Sequence, residues 1–172
     1  MSSPTVLVRG YLERRTVATP AGTIDCHRPH FRLDLLVRGS GRVEVLELVD
    51  FILDTGSDVS LVPIRFARRY RLLGFDEAAV WVSTRTSFQG ELHGRWGTLQ
   101  LRLAADTRVI PCFYYDPNAS QPSRLARWFD RWVRRSARPI EEPRILGCAG
   151  ILGRNLRLAI DGNREVSLSL RG

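Results

Sequence analysis

The sequence predicts an all-β domain, on three observations. Short runs rich in Val, Ile, Leu, Phe and Tyr recur along most of its length, several of them alternating with polar residues. Gly- and Asp-containing turn signals separate these runs. Helical spacing of apolar residues is confined to one stretch. At 172 residues, with 44% hydrophobic and 26% charged residues, the chain fits one domain with a buried core and is too short for two large lobes.

Strands are expected over residues 5–8, 31–37, 42–53, 80–83, 98–103 and 109–115. The clearest is Thr98-Leu99-Gln100-Leu101-Arg102-Leu103, which alternates strictly and so presents one apolar and one polar face. Arg38-Gly39-Ser40-Gly41 joins two runs as a hairpin, and Asp161-Gly162 is a tight-turn signal. Between Pro122 and Ala137 the period changes. Leu125, Trp128, Phe129, Trp132 and Val133 recur at helical spacing among arginines, with Ser120 or Ser123 able to cap the start and Pro139 to stop it. This amphipathic helix packs its aromatic face on its own domain or, as the alternative, docks on a membrane surface or a partner.

Composition excludes several classes. No apolar run is long enough to cross a bilayer, and the N-terminus has neither a basic start nor an apolar signal core. Cys26, Cys112 and Cys148 are odd in number and unpaired in spacing, as expected of reduced thiols in a cytoplasmic protein. The net charge of +8 invites a nucleic-acid reading, yet all 26 basic residues are Arg. Phosphate sites use Lys as well as Arg, so total exclusion of Lys points to the base composition of a GC-rich genome. No zinc-finger, RNA-binding or phosphate-loop pattern accompanies the charge, and no nucleic-acid partner is expected. Cys26-His27-x-x-His30 lacks a second ligand pair, so neither a metal nor a cofactor is expected, and His93 reads as an exposed strand residue.

The chemistry lies in Val49-Asp50-Phe51-Ile52-Leu53-Asp54-Thr55-Gly56-Ser57-Asp58-Val59-Ser60. An apolar strand runs directly into a carboxylate, which is costly to bury unless its oxygens are hydrogen-bonded or shared with a second group. Thr55 offers a hydroxyl to brace the loop, Gly56 permits a tight turn and close approach of another chain, and Ser57 adds a donor within reach of the carboxylate. The tripeptide alone would arise by chance in a chain this long about one time in thirty. Its apolar flanks therefore carry much of the signal.

This stretch resembles the active-site loop of aspartic proteases. A second match, Gly150-Ile151-Leu152-Gly153-Arg154-Asn155-Leu156, resembles the segment of retroviral-type (retropepsin-like) proteases in which two apolar residues precede Gly-Arg-Asn and a helix. In that family the arginine pairs with an aspartate four positions after the catalytic one, the place that Asp58 holds relative to Asp54. An Asp58–Arg154 ion pair is thus implied, and a forked guanidinium suits it. The resemblance covers residues 30–170, and the Arg-only basicity points to a cellular or bacterial member of the family. Its fold would be a closed β-barrel-type acid protease fold with one short C-terminal helix, in a single domain over 1–172. Residues 1–27 would be an N-terminal extension and 115–143 an insertion carrying the amphipathic helix. Residues 80–96, with Gly90, Gly94 and Gly97 in and just after them, fall where the family has its flap hairpin.

The resemblance further implies an aspartic endopeptidase that hydrolyses polypeptide as a homodimer. Asp54, Thr55 and Gly56 would be catalytic, Ser57, Asp58 and Arg154 supporting, and Gly56, Ile151 and Leu152 in contact with substrate. Ser57, where viral members commonly have Ala, implies activity at acidic pH. This chemistry needs two carboxylates sharing a proton. Asp106-Thr107 is followed by Arg108 and Asp161-Gly162 lacks the hydroxyl residue, so the second carboxylate is expected to be Asp54 of another copy. The alternative is a catalytically silent module of the same fold that binds peptide or dimerises.

Overall fold

The computed structural model describes residues 6–19, 22–54, 57–86, 90–103, 106–119, 143–148, 156–160 and 165–170. Among them, in chain order, are β1 (Val6–Thr19), β2 (Gly22–Arg38), β3 (Val43–Asp54), β4 (Ser60–Pro63), α1 (Ile64–Tyr70), β5 (Trp81–Thr86), β6 (Gly90–Leu103), β7 (Asp106–Tyr115), β8 (Ile145–Gly147), β9 (Leu156–Ile160) and β10 (Glu165–Leu170). The chain is mostly strand, as its alternation predicts. The amphipathic helix expected between 122 and 137 lies outside the described residues.

All ten strands belong to one sheet, in the order β5-β6-β7-β4-β8-β3-β2-β1-β10-β9. β2 also pairs with β6, at Asp34↔Arg102 and Leu35↔Leu101, so the run from β6 to β2 connects back on itself. Its interior is the alternate set that the strand period selects: Phe31, Leu33 and Leu35 from β2, Phe51 and Leu53 from β3, Leu99, Leu101 and Leu103 from β6. Each such side chain contributes about 1.5–3 kcal/mol by leaving water. Tyr114 of β7 is fully buried among them and donates its hydroxyl to the Thr98 carbonyl at 2.7 Å. Tyr114→Phe leaves that acceptor unpaired and is expected to cost about 1 kcal/mol. A urea midpoint unchanged from wild type would show that the bond adds nothing.

One feature extends the sequence reading and two depart from it. The described residues before 28 belong to the sheet: β1 pairs with β2 from Gly10↔Phe31 to Thr19↔Gly22, and on its other edge with β10. The chain after Asn155 is not the expected C-terminal helix. Residues Leu156–Ile160 form β9, paired antiparallel to β10 from Leu156↔Leu170 to Ile160↔Val166. Leu156, Leu158 and Ile160 alternate with Arg157 and Ala159, a period of two that suits a strand completing the edge of β10. Among the described residues a helix instead follows β4. α1 buries Ile64 and Ala67 on one face, packs Phe66 against Tyr70 with tilted rings 4.6 Å apart, and ends at Arg71 in the left-handed region. Arg68 and Arg69 stand in its last turn, where positive charge is favourable.

Candidate active site

β3 closes on the apolar run Phe51-Ile52-Leu53, with Phe51 and Leu53 buried, and delivers Asp54 half-buried at its end. Beside it lies β8, parallel to β3 through Ile52↔Ile145, Leu53↔Leu146 and Asp54↔Gly147. On its other side β8 meets β4 at Leu61↔Ile145. The chain thus leaves β3 at Asp54, passes the end of β8 and returns as β4.

Main-chain bonds fix this arrangement. The Ser57 N–H donates to the Asp54 carbonyl at 3.2 Å, and the Cys148 N–H to the Ser57 carbonyl at 2.8 Å. The Gly147 N–H donates to Oγ of buried Ser60 at 3.2 Å, and the Cys148 thiol approaches the Asp54 carbonyl at 3.7 Å. Upstream, Ile52 N–H donates to the Arg144 carbonyl at 2.9 Å, while Arg144 Nε donates to the Asp50 carbonyl at 2.8 Å. Tyr115 holds the start of the segment by donating to the Pro143 carbonyl at 2.9 Å. Gly147 is required by contact: a Cβ there would overlap the backbone of Val59.

Of the residues expected in the site, Asp54, Ser57 and Asp58 are described; Thr55, Gly56, Ile151, Leu152 and Arg154 lie outside the described residues, and with them the Asp58–Arg154 pair. Ser57 behaves differently from expectation. Its hydroxyl donates to the Val59 carbonyl at 2.7 Å, so its one proton braces the loop and is not given to the Asp54 carboxylate. The inference of acid preference from Ser57 loses its support. Asp106, the in-chain rival with a following Thr, is exposed at the start of β7.

The shelf beside Asp54 comes from Ile145, Leu146 and Gly147, which the sequence reading did not assign. The available signal was the repeat of Ile-Leu-Gly, once at 145–147 and again at 151–153. A second apolar group links the shelf to the region expected to be the flap. Leu61, Leu92, Phe113 and Tyr115 are buried together, with Val82 and Ile145 packed against them. β5 and β6 form an antiparallel hairpin there, from Trp81↔Arg95 to Thr86↔Gly90. His93 is half-buried on it, with Nδ1 2.8 Å from the Ser83 hydroxyl.

The electrostatic signature of the site falls on Cys148. Burial pushes its thiol up from the ordinary value, and the carboxylates of Asp54 and then Asp58 push it the same way. The thiolate fraction at neutral pH is therefore low, and alkylation should be slow. Asp54→Asn removes one of those charges, so Cys148 is expected to react faster with iodoacetamide in that variant, read by mass spectrometry against Cys26. An unchanged rate would mean that the carboxylate does not face the thiol.

The Cys26-His27-x-x-His30 spacing does not converge. On strand β2, His27 and His30 are an odd number of residues apart and face opposite sides. His30 is buried and already engaged, with Nδ1 2.9 Å from Asp50 Oδ2 and Nε2 3.0 Å from Glu13 Oε2. Among the described residues no three His, Cys, Asp or Glu side chains are grouped to hold a metal ion, and no helix is long and apolar enough to cross a membrane. No family model matches the chain, and no curated protein matches it with significant similarity.

Proposed function

We propose that the chain is a retropepsin-like aspartic endopeptidase that works as a homodimer, each copy contributing Asp54. The observation that carries the reading is the seat of Asp54. A carboxylate follows the apolar run Phe51-Ile52-Leu53 at the end of β3, beside the Gly147 shelf, in a loop whose backbone is tied by Ser57 and Cys148. The β5–β6 hairpin in the region expected for a flap and the return of β2 to β6 agree with that fold. The three cysteines are free, which fits a cytoplasmic protein.

In this mechanism the two Asp54 carboxyl groups share one proton. The ionised group takes a proton from water as its oxygen adds to the scissile carbonyl carbon, and the protonated group donates to the carbonyl oxygen. The tetrahedral adduct then collapses: the C–N bond breaks as the nitrogen takes a proton from the carboxyl pair, one hydroxyl of the adduct returns its proton to the pair as the C=O forms, and acid and amine leave with the shared proton restored. The protons titrate as properties of the pair. Substrate would lie extended between the catalytic loops and the β5–β6 hairpin, held by main-chain hydrogen bonds.

The test couples assembly to activity. Sedimentation velocity establishes whether the chain is a dimer at concentrations where it cleaves an unfolded casein, and a pH series compares wild type with Asp54→Asn. Cleavage by a monomer would remove the mechanism. A confirmed dimer that cleaves nothing at any pH would favour the silent peptide-binding module.

A further inference from the structure

Past its root, the β1–β2 pair stands alone. Among the described residues β10 pairs with β1 only as far as Tyr11, and β3 pairs with β2 only from His30 onward. Residues 12–19 and 22–29 therefore pair with each other and with no further strand of the described sheet. A two-stranded ribbon is marginal in water by itself, so its order depends on what ties its root.

The tie is His30. It is 5% exposed, and both ring nitrogens meet a carboxylate: Nε2 lies 3.0 Å from Glu13 Oε2 on β1, and Nδ1 lies 2.9 Å from Asp50 Oδ2 on β3. A neutral imidazole has one N–H and one lone pair. Only the imidazolium donates at both nitrogens. The nearest hydroxyl does not change this count. Tyr11 stacks on the ring at 5.0 Å and gives its proton to Asp50 Oδ1 at 3.1 Å. Burial, and then that bond, push the Tyr11 phenol up from its ordinary value, so it stays a donor.

Other charged groups stand near. Arg28 and Arg32 share His30's face of β2, opposite Glu13 and Asp50 in the ladders, and Arg32 lies over the Tyr11 ring at 5.3 Å. Arg9 is two residues from Tyr11 on β1, and Glu165 of β10 is opposite Tyr11. Among the described residues, only Glu13 and Asp50 bring a carboxylate to a ring nitrogen.

We propose that His30 is a proton-operated latch at the root of the ribbon. Charged, it ties β1 to β3 through both nitrogens. Neutral, it keeps one bond and turns a lone pair on the other carboxylate, so the ribbon loosens as pH rises through the histidine range. The full tie is thus present on the acidic side of that range and lost on the basic side. The latch is separate from the Asp54 loop and does not depend on its chemistry.

Hydrogen exchange on the full chain tests this, read by mass spectrometry at about pH 5.5 and about pH 8 and corrected for intrinsic rates. Protection of amides in residues 12–19 should fall about tenfold at the higher pH, the loss of one charge-assisted hydrogen bond, while β6 and β7 keep theirs. In His30→Gln the fall should vanish. Glu13→Gln supplies an independent arm: its amide can accept from the ring nitrogen or donate to it, so the bond survives in either state and the fall should vanish there too. His27→Gln removes the exposed histidine of the ribbon and should leave the fall intact. Equal protection at both pH values in wild type would overturn the proposal. So would a fall that persists in Glu13→Gln or in folded His30→Gln, or one that disappears in His27→Gln.

Discussion

Asp54→Asn is expected to lower peptide-bond cleavage by about 10²- to 10⁴-fold, the range for loss of positioned acid–base catalysis, while leaving the loop in place. The substitution is nearly isosteric and keeps the Asp54 carbonyl, which accepts from Ser57 N–H and faces the Cys148 thiol. An amide keeps those bonds but cannot hold or pass the shared proton. The proposed homodimer adds a sharper result. When equal amounts of wild type and Asp54→Asn are exchanged to equilibrium, random pairing leaves about a quarter of dimers with two carboxylates. Activity per total chain should fall to that fraction, whereas independent monomers would retain half. A value of one half, or a variant as active as wild type, would refute a dyad built from two copies.

Gly147→Ala should be the most damaging small substitution in the site. Its Cβ would fall on the N, C and O atoms of Val59, all backbone, so no side chain can rotate to make room. Either β8 moves away from the loop or the loop lifts from β8. The first breaks the Asp54↔Gly147 register, and the second breaks the Cys148 N–H bond to Ser57. The cost should reach about 3 kcal/mol, the upper part of the range for overpacking. With a urea slope of about 2 kcal/mol per molar, the unfolding midpoint should drop by about 1.5 M. A midpoint equal to wild type would show that the loop does not rest on β8. Cleavage, where measured, should fall beyond the loss of folded protein, because the displaced element carries Asp54.

Strand class was legible because it is written locally. Leu99, Leu101 and Leu103 are buried on one face of β6 as their spacing predicts, and Arg38-Gly39-Ser40-Gly41 turns β2 into β3. Other elements lack a local signature. β8 has three residues, too few to show a period, and its tripeptide recurs at 151–153 with identical composition. α1 has seven residues, and its helical signal reduces to the spacing of Ile64 and Ala67 after Pro63. β1 begins in the run expected at 5–8 but carries Glu13-Arg14-Arg15-Thr16 in its middle, and this polar stretch hides its continuation to Thr19. Its pairing with β2 and β10 supplies the order that its side chains do not.

The seat of Asp54 divides in the same way. The all-β class and the position of a carboxylate at the end of an apolar strand follow from alternation and from the cost of burying charge, both properties of neighbouring residues. Three things were decided only in the folded chain: that Ile145-Leu146-Gly147 lies beside Asp54, where the Ser57 proton goes, and that Arg9, Arg32 and Arg102 line one cleft. Each depends on backbone groups meeting across the sheet. The bond from Arg144 to the Asp50 carbonyl closes a separation of 94 residues, and no local pattern specifies such a partner. Burial does, because β8 fits between β3 and β4 only where a glycine allows the Val59 backbone to lie against it.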